Sequence, residues 1–491
     1  MVVGAVSAIG LLIGACSGSG STEDDSGSGG STSSVPSGPG SGGGDTGSGG
    51  GLSVGVGVGG GMGSTRGCSA DLQNVTNENG VVVESCPPDQ GCFEGACVPA
   101  CDAAAQAKGS IGCEYWTPTP PFVQNESASS TLHGTCYAVF VANTWGRPAQ
   151  LSVRYNGQTY DVTNFARIPS GVGPSAQYAP VPATGLPPNE VAVLFMSHDP
   201  GANHPLGGPM TCPVTPAITL DTAIHNSGRG NAFEIVSDTP VTAYDILPYG
   251  GAPSFLPSAS LLFPRTAWGD NYVGYSPHDS GNSIGRLWMT IVGSVDNTSV
   301  TILPSQALPG GGGAPQAPAN TATQLLINAG EVVQWLDGDP TGAILQSDQP
   351  IGVFTGSTYL RVATADSSGG GQDSAHQQLP PINALGTTYV GAGVVTRKAN
   401  MQPESVLYRV VGVVDGTQLS WSPMPAGAPT TLAAGEAVEF EATDLFEVSS
   451  QDDVHPLGHG LLRLLRLPRR RQRGIHQQRG GASHAEVAPY S

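Results

Sequence analysis

The chain has 491 residues, a formal net charge of -19 and only 12 % charged side chains. Such a balance offers nothing that could neutralise a phosphate backbone, which excludes nucleic acid as a partner. Gly (71) and Pro (41) are abundant, a composition that favours short strands joined by turns over long helices, and the length accommodates roughly three or four domains.

Residues 1–16 are apolar and small and end in Leu12-Ile13-Gly14-Ala15-Cys16. This resembles a bacterial lipobox, in which Cys16 is lipidated and becomes the first residue of the mature chain. No Lys or Arg precedes the apolar run, which points to a start further upstream. Ser17, where an Asp would retain such a lipoprotein at the inner membrane, implies sorting to an outer membrane and exposure at the cell surface. No later stretch is long and apolar enough to span a bilayer. Residues 17–67 are Gly/Ser-rich with scattered Asp24, Asp25 and Asp45. A segment of this kind cannot bury enough apolar area to offset its ordering entropy, so a disordered tether is expected, with an r.m.s. span of roughly 40 Å.

Of the nine cysteines, eight remain once Cys16 is set aside: Cys68, Cys86, Cys92, Cys97, Cys101, Cys113, Cys136 and Cys212. An even number in an exported chain reads as disulfides. Residues 68–115 are too short and polar to build a core, and staples there replace burial. Zinc is the weaker alternative, because the stretch holds no His and no paired C-x-x-C spacing. The six cysteines of this segment leave their pairing open. Cys136 and Cys212 stand apart and are candidates to pair with each other.

The remainder repeats itself. Val236-Ser237-Asp238-Thr239-Pro240-Val241 returns as Gln346-Ser347-Asp348-Gln349-Pro350-Ile351. Val292 to Pro304 returns as Val411 to Pro423, and Asn328-Ala329-Gly330-Glu331 as Ala433-Ala434-Gly435-Glu436. The offsets, about 105 to 120 residues, suit one small β domain per copy. Short strand signals recur in each copy, including Cys136 to Asn143, Glu190 to Met196, Leu287 to Val292, Ser299 to Leu303 and Glu331 to Trp335. Asp296-Asn297-Thr298 and Asp415-Gly416-Thr417 read as hairpin turns. The expected fold is all-β, with tandem β-sandwich-like repeats following the tether and the disulfide-rich segment; a β-propeller-like arrangement is the alternative. The modules are placed at 116–285, 286–400 and 401–453, the third incomplete.

Val300-Thr301-Ile302 after its turn, Ile327 to Val332, Ser347 to Phe354, and Gln378-Leu379-Pro380-Pro381 with Leu385 to Val390 together resemble the N-terminal domain of IgGFc-binding proteins, a family of animal mucosal secretions and bacterial surface proteins. The resemblance covers about Cys136 to Gln451. It implies a non-catalytic binding or adhesion role towards a protein or glycan ligand. Immunoglobulin Fc enters only through the family name, no contact residue carries over, and no cofactor is implied. The recurring motifs are read as structural, with Ser-Asp-x-Pro starting a strand and capping a turn. Recognition is expected on the loops Pro200 to Pro209, Pro309 to Asn320 and Ala363 to His376.

Residues 454–491 differ in character, with Arg463, Arg466, Arg469, Arg470, Arg471, Arg473 and Arg479 in a chain otherwise poor in arginine. The repeat calls for a strand like Pro240 to Tyr244 after Asp452, and a one-base shift of GC-rich codons would supply it, so this tail reads as frameshifted. Catalytic ingredients are loose. Asp373, Ser374 and His376 offer triad chemistry; Glu234, Glu331 and Asp337 offer carboxylates; His198-Asp199 with His204 offers metal ligands in a loop without recurring ligand spacing. His133, His225 and His278 are isolated. Glu331 and Glu436 share one repeat position, which points to a turn role. An exported hydrolase and a structural envelope protein are the alternatives to a binding protein.

Overall fold

The computed structural model describes residues 66–123, 134–171, 173–201, 210–250, 256–277, 285–367, 373–396 and 398–451, and the backbone of 462–466. Cys16 and the expected tether up to residue 65 lie outside the described residues, as does the tail apart from that short backbone stretch; Arg66 and Gly67, assigned to the tether from sequence, belong to a strand.

The cysteine-rich segment contains β1 (Arg66–Cys68), β2 (Asn74–Asn77), β3 (Val82–Ser85), β4 (Gln90–Phe93), β5 (Ala96–Pro99) and helix α1 (Ala100–Ala107). Its pairing is Cys68–Cys92, Cys86–Cys97 and Cys101–Cys113. These covalent links stand in for a core that so polar a stretch could not assemble. The segment packs against the next module. Helix α1 buries Ala100, Ala103 and Ala104, Gly91 approaches both Ala103 and Trp145 of the next module, and Gln73 Nε2 donates to Thr144 O at 3.1 Å. Cys113 itself lies in β6 (Gly112–Thr117), the first strand of module 1.

Module 1 continues with β7 (Tyr137–Asn143), β8 (Leu151–Tyr155), β9 (Gln158–Tyr160), the helical turn α2 (Val162–Phe165), β10 (Ala166–Ser170), β11 (Gln177–Pro180) and β12 (Glu190–Ser197). After β13 (Gly228–Asn231) come β14 (Phe233–Leu247) and β15 (Ser258–Leu262). The 15-residue β14 serves two sheets. Phe233 to Ser237 pair with β6 and β8, and Thr242 to Ile246 pair with β7 and β15. The change occurs at Ser237-Asp238-Thr239-Pro240, where the register jumps between Val236 and Val241. Pro240 has no N–H for a ladder, and Asp238 Oδ1 takes the amide of Gln150 at 2.8 Å instead.

Module 2 repeats this plan with β16 (Gly269–Val273), β17 (Leu287–Gly293), β18 (Thr298–Leu303), β19 (Thr323–Ile327), β20 (Glu331–Leu336), β21 (Ile344–Leu360) and β22 (Asp373–Gln378). The first part of β21 pairs with β16 and β18, and its second part with β17 and β22. Asp348 Oδ1 accepts from the amide of Ser299 at 2.8 Å, the counterpart of the Asp238 bond. Module 3 holds β23 (Thr388–Gly391), β24 (Val406–Gly412), β25 (Thr417–Ser422), β26 (Thr431–Leu432), β27 (Ala437–Ala442), β28 (Phe446–Ser450) and β29 (Leu462–Arg466). Gln451 Oε1 stands where the two aspartates stand, accepting from the amide of Gln418 at 2.6 Å. Here the long strand is divided: β28 pairs with β23 and β25, and β29 pairs with β24.

All-β is therefore the fold, with modules 1 and 2 each a pair of sheets bridged by one long strand and module 3 a pair of sheets holding β28 and β29 separately, rather than propeller blades. The Ser-Asp-x-Pro motif does not start a strand as expected; it is the mid-strand crossing from one sheet to the other. Strand pairing also shifts the module limits. β6 opens module 1 at Gly112, ahead of 116, while β16 and β23, assigned from sequence to the modules before them, open modules 2 and 3. The physical reason is that each linker turns a corner, Arg265–Ala267 or Ile382–Ala384, before the next module begins.

Double-sided burial explains the unbroken apolar strands. In β7, Tyr137, Val139 and Val141 face the main core, while Ala138 packs with Val193, Phe195 and Tyr249 beneath the Cys136–Cys212 disulfide. Each side chain the size of Val139 contributes about 1.5–3 kcal/mol by leaving water. The core of module 1 runs on into Trp288, Val332 and Phe354 of module 2, so a continuous apolar core crosses the first junction. The second junction is thinner, with Val273, Tyr275, Val411 and Val413 at its centre.

Candidate binding site at the module junctions

The hairpin turns fall where the sequence places them. Asn297 (φ 59°) and Gly416 (φ 73°) take the left-handed conformation that these turns require, and Asp296 and Asp415 receive the amides of Ala329 and Ala434 at 3.1 and 2.9 Å. The shared glutamate acts as a turn clamp in both copies: Glu331 Oε2 accepts from Asn328 N at 2.9 Å, and Glu436 Oε2 from Ala433 N at 2.8 Å.

Two of the three candidate recognition loops are instead committed to the junctions. Pro309 to Asn320 grips a segment arriving from module 1: Ser227 Oγ donates to Pro309 O at 2.6 Å and Arg229 N to Gly312 O at 3.1 Å. Trp335 Nε1 also donates to Pro315 O at 2.7 Å. The Ala363 to His376 stretch reaches module 3, where Ala365 N donates to Glu441 Oε2 at 2.9 Å and Asp366 Oδ2 accepts from Ser405 N at 2.6 Å; its far end is β22. In the third loop, residues 202–209 lie outside the described residues.

That arriving segment is the main element the sequence reading missed. β13 leaves module 1 and pairs antiparallel with β20 of module 2, Gly228 opposite Gln334 and Asn231 opposite Glu331. Arg229 donates to Gly313 O at 2.9 Å and Leu326 O at 3.0 Å and forms an ion pair with Glu331. Gln334 Nε2 holds Ile224 O and Asn226 O at 2.7 and 2.9 Å. Gly-Arg-Gly has no strand signature, so nothing in its composition announces this role.

The first junction also assembles Ser258, His376 and Asp245. His376 Nε2 donates to Asp245 Oδ1 at 2.8 Å and Nδ1 lies 2.5 Å from Ser258 Oγ. Of the residues proposed from sequence, His376 belongs to this group and Ser374 lies beside it, 3.0 Å from Ser258. Asp373 opens β22, and Asp245 takes the acid's place. Asp245 further accepts from Thr117 Oγ1, Tyr137 OH and Ser260 N. The neighbouring cavity, about 10 Å³, holds roughly one water. In triad catalysis the serine faces Nε2 and the acid holds Nδ1; here the ring presents the opposite edges. The group is a polar clasp between β14, β15 and β22.

The sequence-proposed carboxylates do not converge as an acid pair. Each has its own cation, Arg154 for Glu234, Arg229 for Glu331 and Arg286 for Asp337. Burial raises the Glu234 carboxyl above its ordinary range, opposed by Arg154. His198 is buried with Nδ1 on Gly134 O at 2.6 Å, and Asp199 caps Gly201 N; His204 lies outside the described residues. His225 meets Asp221 at 3.1 Å, and His133 and His278 also fall outside. Among the described residues no group of three or more His, Cys, Asp or Glu is gathered as a metal site would require.

The second junction is built from the same positions but leaves an open cleft of about 430 Å³. The cleft is lined by Arg409, Gly435, Ala437 and Glu439 of module 3 and by Ser305, Gln306, Asp339 and Thr341 of module 2. Arg409 donates to Ser276 O at 2.7 Å and to Glu439 Oε1 at 2.7 Å, while Asp339 accepts from Ser276 Oγ and Thr341 N at 2.6 and 2.9 Å. The arrangement fixes donors and acceptors along an open cleft, which suits recognition.

Residues 258–459 match the family model described as IgGFc binding protein. The match begins at β15 and extends past β28, spanning module 2, the second junction and the described domain core of module 3. No curated protein and no solved structure matches the chain.

Proposed function

We propose that this chain is a surface-anchored, non-catalytic binding or adhesion protein that recognises a protein or glycan ligand through its β modules. The observation that carries the reading is the family match over 258–459, a stretch containing the open cleft. A protein ligand such as immunoglobulin Fc is the first candidate, on the strength of that description alone. Anchoring through a lipid on Cys16 at a bacterial outer membrane is supported by the lipobox-like residues, and export by the four disulfides.

The test is to probe the purified full chain against an array of Fc, matrix proteins and glycans. Saturable binding to one class supports the reading, and no binding to any class rejects it. Mass spectrometry of the membrane-fractionated protein reads the anchor: an acylated Cys16 supports it and an unmodified Cys16 removes it.

The tail belongs to the same proposal as a frameshift product. Repeat register places Val454 opposite Gly412, whereas Leu462 occupies that position, and the family match ends at 459. Translation of the other frames of the gene should continue the repeat; if none does, the frameshift is discarded.

The Ser258–His376–Asp245 group is the observation that favours a hydrolase instead. A serine-directed fluorophosphonate that labelled Ser258 in the folded chain would turn the reading towards an enzyme.

A further inference from the structure

We infer that the outer edge of β27 is a docking site for an extended, arginine-bearing peptide strand of a protein partner, which adds to module 3 as β13 adds to module 2. The inference rests on the binding reading above and specifies its mode.

The chain contains its own precedent. β20 and β27 occupy one repeat position: β20 opens on the glutamate that clamps the preceding turn, and β27 follows directly after its counterpart, Glu436. Each also makes a matching cross-strand side-chain pair, Gln334 with Thr290 and Glu439 with Arg409. β20 is flanked on both sides, by β17 and by β13. β27 pairs with β24, and among the described residues no strand lies on its other edge.

Exposure follows that difference. From Val332 to Leu336 every residue of β20 is buried, whereas Glu436 and Ala437 are exposed and Val438 and Glu439 only half-buried. In the first junction Trp116 covers Gly330, where an added Cβ would meet its ring at 2.3 Å. At the corresponding Gly435 an added Cβ would meet the backbone oxygen of Gly342 at 2.6 Å rather than an indole ring, and the cleft opens alongside.

Charge selects the occupant. In the cleft Glu439 is matched by Arg409, while Asp339 and, just before β27, the exposed Glu436 have no cation in an ion pair with them among the described residues; Glu441, further along β27, is held by Ala365 N and Ser405 Oγ. Glu331 uses one carboxylate oxygen on its turn and the other on Arg229; Glu436 presents the same carboxylate at the same place. An unpaired strand edge gives affinity through main-chain hydrogen bonds, and a guanidinium on that carboxylate adds register. Ile224, whose Cδ1 would lie 2.9 Å from a Cβ added at Gly230 of β13, has no counterpart among the residues lining the cleft, so the partner strand need not be glycine-rich.

The probe is a fluorescein-labelled peptide with the sequence of residues 226–233, titrated into the full chain and read by anisotropy. Saturable binding is expected, weakened about tenfold by Glu436→Lys and likewise by replacing the peptide's arginine with alanine, one charge-assisted hydrogen bond in each case. Glu436→Gln, which keeps the side-chain shape, should weaken binding less, separating charge from misfolding. Equal binding by wild type and Glu436→Lys overturns the inference, as does equal binding of a backbone N-methylated peptide. An array ligand that this peptide does not displace also overturns it while leaving the binding function standing; peptide binding with an empty array rejects the function proposed above while leaving the β27 edge as a strand-docking site.

Discussion

His376 Nε2 and Asp245 Oδ1 meet at 2.8 Å although 131 residues separate them, one on the last strand of module 2 and the other on the long strand of module 1. Both side chains are almost wholly buried, 2 % and 0 % exposed. The pair sits where β15 and β22 face each other, so it reports whether the two modules are docked.

His376→Ala removes one partner of a buried polar pair and leaves Asp245 short of a donor. The expected loss is about 3 kcal/mol of stability, measured by urea unfolding. Ligand binding at the second junction should be unchanged in the folded fraction. A variant as stable as wild type would show that the clasp contributes nothing.

Tyr115, Tyr137 and Tyr272 are raised above the ordinary tyrosine range, chiefly by burial; around Tyr137 the Asp245 charge acts in the same direction. The unfolded chain releases these protons near pH 10 while the folded chain keeps them, so the folded state binds more protons there. Stability should therefore be level below that pH and fall above it, by about 1.4 kcal/mol per pH unit for each tyrosine. Denaturation at successive pH values between 9 and 11 reads the slope, which Tyr272→Phe should reduce by the share of one proton.

Gly330 and Gly416 both have φ of 73°, but their surroundings differ. A Cβ on Gly330 would lie 2.3 Å from the Trp116 ring, and one on Gly416 would meet nothing within 4 Å. Gly416→Ala should cost about 1 kcal/mol, the backbone strain alone. Gly330→Ala should cost about 3 kcal/mol because the first junction must also repack. Thermal melts of the two variants settle the order, and equal costs would mean that Trp116 yields freely.

Cys136–Cys212 spans 76 residues and Cys86–Cys97 spans 11. If loop closure in the unfolded chain dominates, replacing both cysteines by serine costs roughly 4 kcal/mol for the first bridge and roughly 3 kcal/mol for the second. Chemical denaturation of the two double variants provides the comparison. A larger loss at the short bridge would mean that the cysteine-rich segment depends on its staples locally, as its lack of a core suggests.

Local chemistry was legible. Asp296-Asn297 and Asp415-Gly416 form turns because their backbone angles depend on those residues, and Glu331 and Glu436 clamp the turns before them because an amide lies three residues away. The apolar run of β7 declared double-sided burial. The crossing at Asp238 was seen as a motif but misread as a strand start, since a strand that changes sheets and a strand that begins there share one pattern of Asp and Pro.

Sequence alone thus determined the repeat, its strands and its turns, all properties of neighbouring residues that steric and hydrogen-bonding rules fix within a few positions. Only the tertiary structure decided that Gly228–Asn231 closes the edge of β20, that Asp245 rather than Asp373 meets His376, and that β27 has no described strand on its outer edge. Those outcomes depend on where distant segments can reach and what they find already paired, which no local pattern encodes.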